Sequence, residues 1–298
     1  MKIALVHELL TMKGGAERVL RILAEIFPDA PIYTLLYDEQ KLGDWFPKQR
    51  VRTSSIQRWA NRWPLGAHRY NDHLYLPFFP RAAEKWDFSD FDLVISSSSA
   101  FAHGIITNST PKHISYVHSP ARYLWDRTHD VLQKADLGFS GPMKREYLSR
   151  IFHKLRIWDS EAADRPDVLL AASKEVQRRI ELYWRRKADV LCPPIDDFWF
   201  AQNSGFRIQD SSSSPYFLIV SSLVSYKRIE LAIAAANQLG VQLKIAGSGP
   251  AEAALKKLAG STVAFLGYQT DEQLKELYSN ATATLFPGEE DFGLVPLE

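Results

Sequence analysis

Short apolar runs alternate with stretches of helical spacing along the whole chain, and that alternation narrows its possible folds more than any other feature. KIALVHE (2–8) is nearly all apolar, as a strand buried on both faces would be. Gly14 and Gly15 form a turn signal, and AERVLRILAEIF then sets Ala16, Val19, Leu20, Leu23 and Phe27 at helical spacing. PIYTLLY, DLVISSS, HISYVH, VLLAAS and DVLCP are further strand candidates, with helical segments over 142–163 and 174–185. Later in the chain, YFLIVSS, VQLKIAG, VAFLG and ATLFP alternate with helices expected near 228–239, 251–259 and 270–280. Thr270 with Gln273 has the spacing of a capping box, which marks a helix start. A chain that must cross over through a helix before each new strand pairs its strands in parallel. The expected class is therefore α/β, with two doubly wound parallel sheets.

The length of 298 residues agrees with two domains, at a typical ~150 residues each. The polar run QDSSSSP (209–215) has no residues to bury and reads as the linker. The expected domains are 1–208 and 209–298. The second is acidic, with six Lys/Arg against ten Asp/Glu, and the first is basic, with thirty against twenty-five. The net charge of +1 excludes coating of a polyanion by bulk charge, so nucleic acid is not expected as a partner. The single cysteine, Cys192, excludes an internal disulfide framework and a thiolate zinc site, and it suits a reducing compartment. No run reaches the ~18 apolar residues that span a bilayer. The N-terminal run meets His7 and Glu8 too early for a signal peptide. A cytoplasmic chain is the expectation.

Chemistry concentrates at the end of ATLFP. In an open parallel sheet, ligands lie beyond the carboxyl ends of the strands, which is where PGEEDFGLVPLE (287–298) falls. Gly293 permits close backbone approach, and a helix starting here would turn free N–H groups toward an anion. Glu290 on the loop and Glu298 in the coming helix can both accept hydroxyl hydrogen bonds, which suits a polyhydroxylated ligand. Solvated acids favouring a helix dipole are the plainer reading of the same residues.

The pattern over 290–298, Glu290, Asp291, Phe292, Gly293 and on to Glu298, resembles the signature of glycosyltransferase family 4. SYVHSPARYLWD (115–126), LCPPID (191–196), SSLVSYKRIELAI (221–233), AGSGP (246–250) and FLGYQTDEQLKELY (265–278) follow in that family's order, so the likeness runs over nearly the whole chain. The resemblance implies a GT-B fold of two Rossmann-like domains facing a cleft, and a retaining, metal-independent hexosyl transfer from a nucleotide sugar, with no other cofactor. It implies that Glu290 orients the donor sugar, that backbone at Phe292, Gly293 and Leu294 holds sugar and diphosphate, and that Glu298 binds the ribose. Lys227 would neutralise the leaving diphosphate, Tyr268 would lie by the base, Gly15 would approach the phosphate, and Gly247 would belong to the nucleotide site. His118 would face the donor sugar and stabilise charge at the anomeric centre. Read alone, His118 equally suits a packed core histidine, and Gly14–Gly15 a plain strand-to-helix turn.

HELLTMKGGAER together with YVHSPARYLWD looks most like bacterial mannosyltransferase-type members, which favours GDP-mannose as donor, with UDP-sugars as the other option. The family's usual Arg before the Lys is replaced by Ser221, Ser222 and Leu223; Arg228 is the candidate substitute, or else an exposed helix-start residue. The resemblance also implies strands and helices beyond Glu298, so the second domain reads as truncated. A non-catalytic sugar-nucleotide-binding remnant is the alternative function. An NAD enzyme fits less well, because no G-x-G-x-x-G follows the first strand. Residues 48–86 interleave eight Lys/Arg with aromatics including Trp59, Trp63, Phe78 and Trp86. Such a surface suits peripheral contact with an anionic membrane and a lipid-linked or saccharide acceptor, as in cell-surface polysaccharide or glycolipid synthesis. Core aromatics with solvated charges are the plainer reading.

Overall fold

The structure is a computed structural model that describes residues 1–62, 75–108, 110–135, 141–200 and 215–298. The chain divides into two compact units, Met1–Pro193 and Pro194–Glu298. The boundary expected at 208/209 and all of the linker except Pro215 lie outside the described residues.

The first unit is a seven-stranded parallel sheet: β1 Ile3–Leu10, β2 Ile32–Tyr37, β3 Val51–Thr53, β4 Leu93–Ser98, β5 Lys112–Val117, β6 Val168–Ala171 and β7 Asp189–Val190. Its order is β3-β2-β1-β4-β5-β6-β7. The order reverses between β1 and β4, and that switch point is where a doubly wound sheet opens a crevice for a ligand. β1 shows why the strand is so apolar. Ala4 and Val6 join the core on one face, with Phe79, Phe88, Phe101 and Phe152, while Leu5 joins the other, with Leu20, Ala24 and Ile32. Strand residues alternate in direction. His7 therefore shares the Leu5 face, under helix α1 (Gly15–Ile26), and Glu8 shares the Val6 face.

The second unit is a four-stranded parallel sheet: β8 Tyr216–Val220, β9 Gln242–Ala246, β10 Val263–Gly267 and β11 Ala283–Thr284, in the order β10-β9-β8-β11. Its switch point lies between β8 and β11. Helices Ile229–Leu239, Glu252–Leu258 and Asp271–Asn280 connect the strands. The Thr270–Gln273 capping box forms, with both reciprocal bonds made. Ile219, Ile229, Ile233, Leu243 and Ile245 build the core of this unit.

The expected strands and the helices expected up to residue 280 are present, and the α/β class holds; where a helix carrying Glu298 was expected, the chain makes a turn instead. One strand was not anticipated: β3 lies inside the basic, aromatic segment, pairing Ile32 with Val51 and Thr34 with Thr53. That segment is also less superficial than its composition suggests. Arg50 donates to the carbonyls of Ala24, Phe27 and Ala30, closing the C-terminal end of α1. Phe79 is buried, whereas Trp59 and Phe78 are exposed and meet edge to face at 5.9 Å. Trp63, Arg69 and Tyr70 lie outside the described residues. Among the described residues no helix is long and apolar enough to cross a membrane.

Candidate functional site

Each sheet gathers polar residues at its own switch point. In the second unit Lys227 ends a turn, Ser225–Lys227, just beyond β8, and Glu290 sits on the loop beyond β11. The two side chains form an ion pair. Gly288 makes this approach possible, because a Cβ there would lie 2.8 Å from the Lys227 backbone. Ser221, Ile229 and Leu285 line the same small pocket with the pair. A neighbouring loop supports it. Gly247 has φ +130°, and a Cβ on it would overlap the carbonyl oxygen of Ser221. Leu223 N–H donates to Ser248 O at 2.9 Å, and Ala251 N–H donates to Leu223 O at 2.9 Å. The glycines of AGSGP thus let this loop lie directly on the loop after β8.

Past Glu290, Gly293 has φ +83°, in the left-handed region that favours glycine. Leu297 and Glu298 N–H then close a turn onto Leu294 O. Phe292, Gly293 and Leu294 lie at the N-terminal side of that turn. Glu298 Oε2 accepts from the Tyr278 hydroxyl at 3.2 Å. Tyr268 is exposed beyond β10, two strands from β8 at the same end of the sheet. Arg228 is not drawn to the Lys227–Glu290 pair. Its backbone is left-handed at φ 53°, and its Nε donates to Glu230 at 2.7 Å.

In the first unit Gly15 opens α1 and His118 follows β5. His118 Nε2 lies 2.8 Å from Ser97 Oγ, on the neighbouring strand. Burial and the positive His7 push the His118 ring down to about 3, against the opposing pull of Glu8. His118 is therefore a neutral imidazole at pH 7, holding no second proton to give and too weakly basic to take one efficiently.

Sequence reasoning missed what surrounds it. Glu8 is buried on the opposite face of β1 from His7. Its Oε1 accepts from the Ser98 hydroxyl and from the backbone N–H of Ser99, Ala100, Phe101 and Ala102, at 2.8 to 3.0 Å. Burial alone would raise its pKa, but the His7 charge and these amides outweigh burial and hold it below the usual carboxylate range. Ser98 Oγ also lies 3.1 Å from His103 Nδ1. His103 Nε2 faces the fully buried Asp159 at 3.6 Å, and Asp159 Oδ2 accepts from the indoles of Trp125 and Trp184. The segment after His118 is pinned further. Trp125 stacks on Tyr183 at 4.9 Å, Tyr183 and Arg179 both reach Asp126, and Arg179 donates to Ser119. The usable signal was four consecutive serines ending an apolar strand and His-Glu ending another. Polar residues in a doubly buried strand must be partnered.

Residues 203–298 match the model of the family described as glycosyl transferases group 1. Among solved structures, Anabaena HepE in complex with UDP aligns with TM-score 0.58 and 14% identity, covering 96% of this chain and 74% of that one. The sucrose-phosphate synthase of Thermosynechococcus elongatus aligns with TM-score 0.58 and 16% identity, covering 98% and 77%. The chain has a GT-B fold. A mutant of S. aureus TarM, in complex with fondaparinux, alpha-GlcNAc-glycerol and UDP, aligns with TM-score 0.57 and 11% identity over 99% and 83%. A comparison with curated proteins finds no match.

Proposed function

We propose that this chain is a glycosyltransferase that takes a hexose from a nucleoside diphosphate sugar. The observation that carries this reading is the Lys227–Glu290 pair at the second unit's switch point, inside the segment matched by the glycosyl transferases group 1 model. Lys227 supplies positive charge where a leaving diphosphate gains negative charge as the glycosidic bond breaks. Glu290 accepts hydrogen bonds from sugar hydroxyls. The two charges answer each other, and an incoming diphosphate competes with Glu290 for Lys227. Phe292, Gly293 and Leu294 add backbone N–H groups, and Glu298 takes the ribose. Arg228, turned to Glu230, replaces the absent family Arg only by changing rotamer.

Transfer proceeds with retention, the leaving phosphate taking the acceptor proton. The neutral state of His118 supports this, since a ring with a pKa near 3 is a hydrogen-bonding group and a poor base. The likeness of the N-terminal motifs to mannosyltransferases favours GDP-mannose. The UDP in HepE and TarM makes UDP-sugars the next donors to test. The acceptor is a saccharide or lipid-linked saccharide, with the exposed Trp59 and Phe78 among basic residues offering a membrane contact on the cytoplasmic side.

The test is a thermal-shift panel on the full chain with GDP-mannose, UDP-glucose, UDP-GlcNAc, GDP, UDP and NAD. A ligand at 100 times its Kd stabilises by ~2.7 kcal/mol. That is a rise of several degrees for a unit of this size. A shift with a sugar nucleotide and none with NAD is expected. Lys227→Ala should weaken the response to diphosphates and sugar nucleotides alike, and Glu290→Ala chiefly that to the sugar nucleotide. A shift with NAD alone overturns the proposal. Binding without release of the nucleoside diphosphate, with saccharide acceptors supplied, would make the chain a sugar-nucleotide-binding module.

A further inference from the structure

The residues beneath His118 form a continuous line across three elements. Glu17 lies in the first turn of α1, yet it is buried. Its Oε1 is 3.5 Å from His7 Nε2. Gly14 leaves it this room, since a Cβ there would stand 2.6 Å from Glu17 Oε2. The other nitrogen of His7, Nδ1, lies 3.1 Å from the backbone oxygen of Ser97 and 3.1 Å from its hydroxyl. His7 and Ser97 are register partners in the β1–β4 pairing, so the sheet itself sets this contact. Ser97 Oγ then reaches His118 Nε2 at 2.8 Å.

The protons on this line follow from what each atom can do. A carboxylate and a carbonyl only accept hydrogen bonds. His7 Nε2 faces the Glu17 carboxylate and Nδ1 faces the Ser97 carbonyl, and with its pKa raised above the usual histidine value the ring is read as an imidazolium whose Nδ1–H is shared between the Ser97 carbonyl and hydroxyl oxygens. With its hydroxyl oxygen accepting from His7 Nδ1–H, Ser97 has its one hydrogen left to donate. The acceptor within reach is His118 Nε2. The neutral His118 ring must then hold its proton on Nδ1.

The geometry points to a positioning relay in which Glu17 keeps His7 doubly protonated, His7 orients the Ser97 hydroxyl, and Ser97 holds the His118 proton on Nδ1. The ring then offers an N–H donor, from the atom Ser97 does not occupy, to a ligand at the β1/β4 switch point. Assigning that ligand as a saccharide rests on the proposed function; the proton positions do not. The charges around the line act in the same sense. Burial disfavours charge on His7, but Glu17, then Glu8 from the far face of β1, and the Ser97 carbonyl raise its pKa above the usual histidine value. The charged His7 in turn helps keep His118 neutral. Glu17, His7 and Ser97 are positioning residues; only His118 would touch the ligand.

The test reads the protons directly. The full chain is labelled with 15N-histidine, and its eight histidines are followed by long-range 1H–15N correlation from about pH 5.5 to 8. His118 is assigned by loss of its signals in His118→Gln. The expected spectrum shows His118 neutral throughout, with Nδ1 protonated, and His7 protonated on both nitrogens at neutral pH. Ser97→Ala should move the His118 proton toward Nε2, the intrinsically preferred site, and Ser97→Thr should restore it. Glu17→Gln, whose amide can donate to His7 Nε2, should leave His7 neutral at pH 7. In sugar transfer, Ser97→Ala should lower kcat at least about tenfold with little change in KM, and Ser97→Thr should recover it. A wild-type His118 protonated on Nε2, or titrating near its ordinary value, overturns the relay. An intact spectrum with unchanged kcat in Ser97→Ala overturns the N–H donor role. Should the wild-type chain transfer no sugar, the functional reading fails, and the spectra alone decide the relay.

Discussion

Replacing Glu8 by Ala offers the most direct check on how the first unit holds its switch point. One carboxylate oxygen accepts from four consecutive backbone amides, 99–102, and from the Ser98 hydroxyl. Each buried donor left unanswered costs about 1–3 kcal/mol. Those costs are offset by no longer burying a charge and by water entering the gap. Removing one partner of a buried charged arrangement costs about 3–5 kcal/mol net, and that is the expected loss. Glu8→Gln keeps the shape and loses the charge, so it should fall between wild type and Ala. The pH dependence has a definite sign. The folded pKa of Glu8 is lowered, so its contribution is complete above the unfolded carboxylate value of about 4.3 and is lost as pH falls through the folded value. The two units need not unfold together, so the assay is urea-dependent hydrogen exchange on a peptide covering residues 95–105. A Glu8→Ala variant within about 1 kcal/mol of wild type at pH 7 would show that the loop satisfies its own amides and that Glu8 does not organise it.

Two further outcomes are expected. Gly247→Ala should destabilise the second unit by about 2 kcal/mol or more, because it combines a left-handed φ with overlap on Ser221; unchanged urea unfolding of peptides from β8 and β9 would refute this. The raised pKa of His7 contributes stability that is complete below about pH 6.5 and is lost as pH rises through the higher folded value. Wild type should therefore lose stability relative to Glu17→Gln on the alkaline side, and parallel pH profiles of the two proteins would contradict the pairing.

Much of the fold could be read from the sequence because both signals involved are local. Apolar runs bounded by turn residues gave the strands, and 3.6-residue spacing gave the helices between them. β3 escaped because three residues, two of them polar and exposed, carry no run to detect. Lys227 and Glu290 were each singled out through the family resemblance, and the fold brings them together as a pair. The network under His118 was not singled out, because its members are distant in sequence: His7 and Ser97 are 90 residues apart, and Trp125 and Asp159 are 34 apart. Only the β1–β4 register brings the first pair together, and register between parallel strands depends on crossovers that no local pattern encodes. Glu17 carried no signal in the sequence either. An acid in the first turn of a helix usually serves the helix dipole at the surface, whereas here Gly14 leaves it space to turn inward.

The Arg50 guanidinium, folded over the last carbonyls of α1, changes how charge in the basic segment should be counted. A guanidinium that donates to the Ala24, Phe27 and Ala30 carbonyls keeps its charge but has its N–H groups committed to the protein's own backbone. Lys48 is likewise engaged, by Glu39 at 2.8 Å. Each is less available to a polyanion or an anionic bilayer than an unengaged surface cation, and each adds less to the salt dependence of association. The steepness of any such dependence would weight most the cations without a partner in the fold, and it would fall short of the eight that the sequence between 48 and 86 contains.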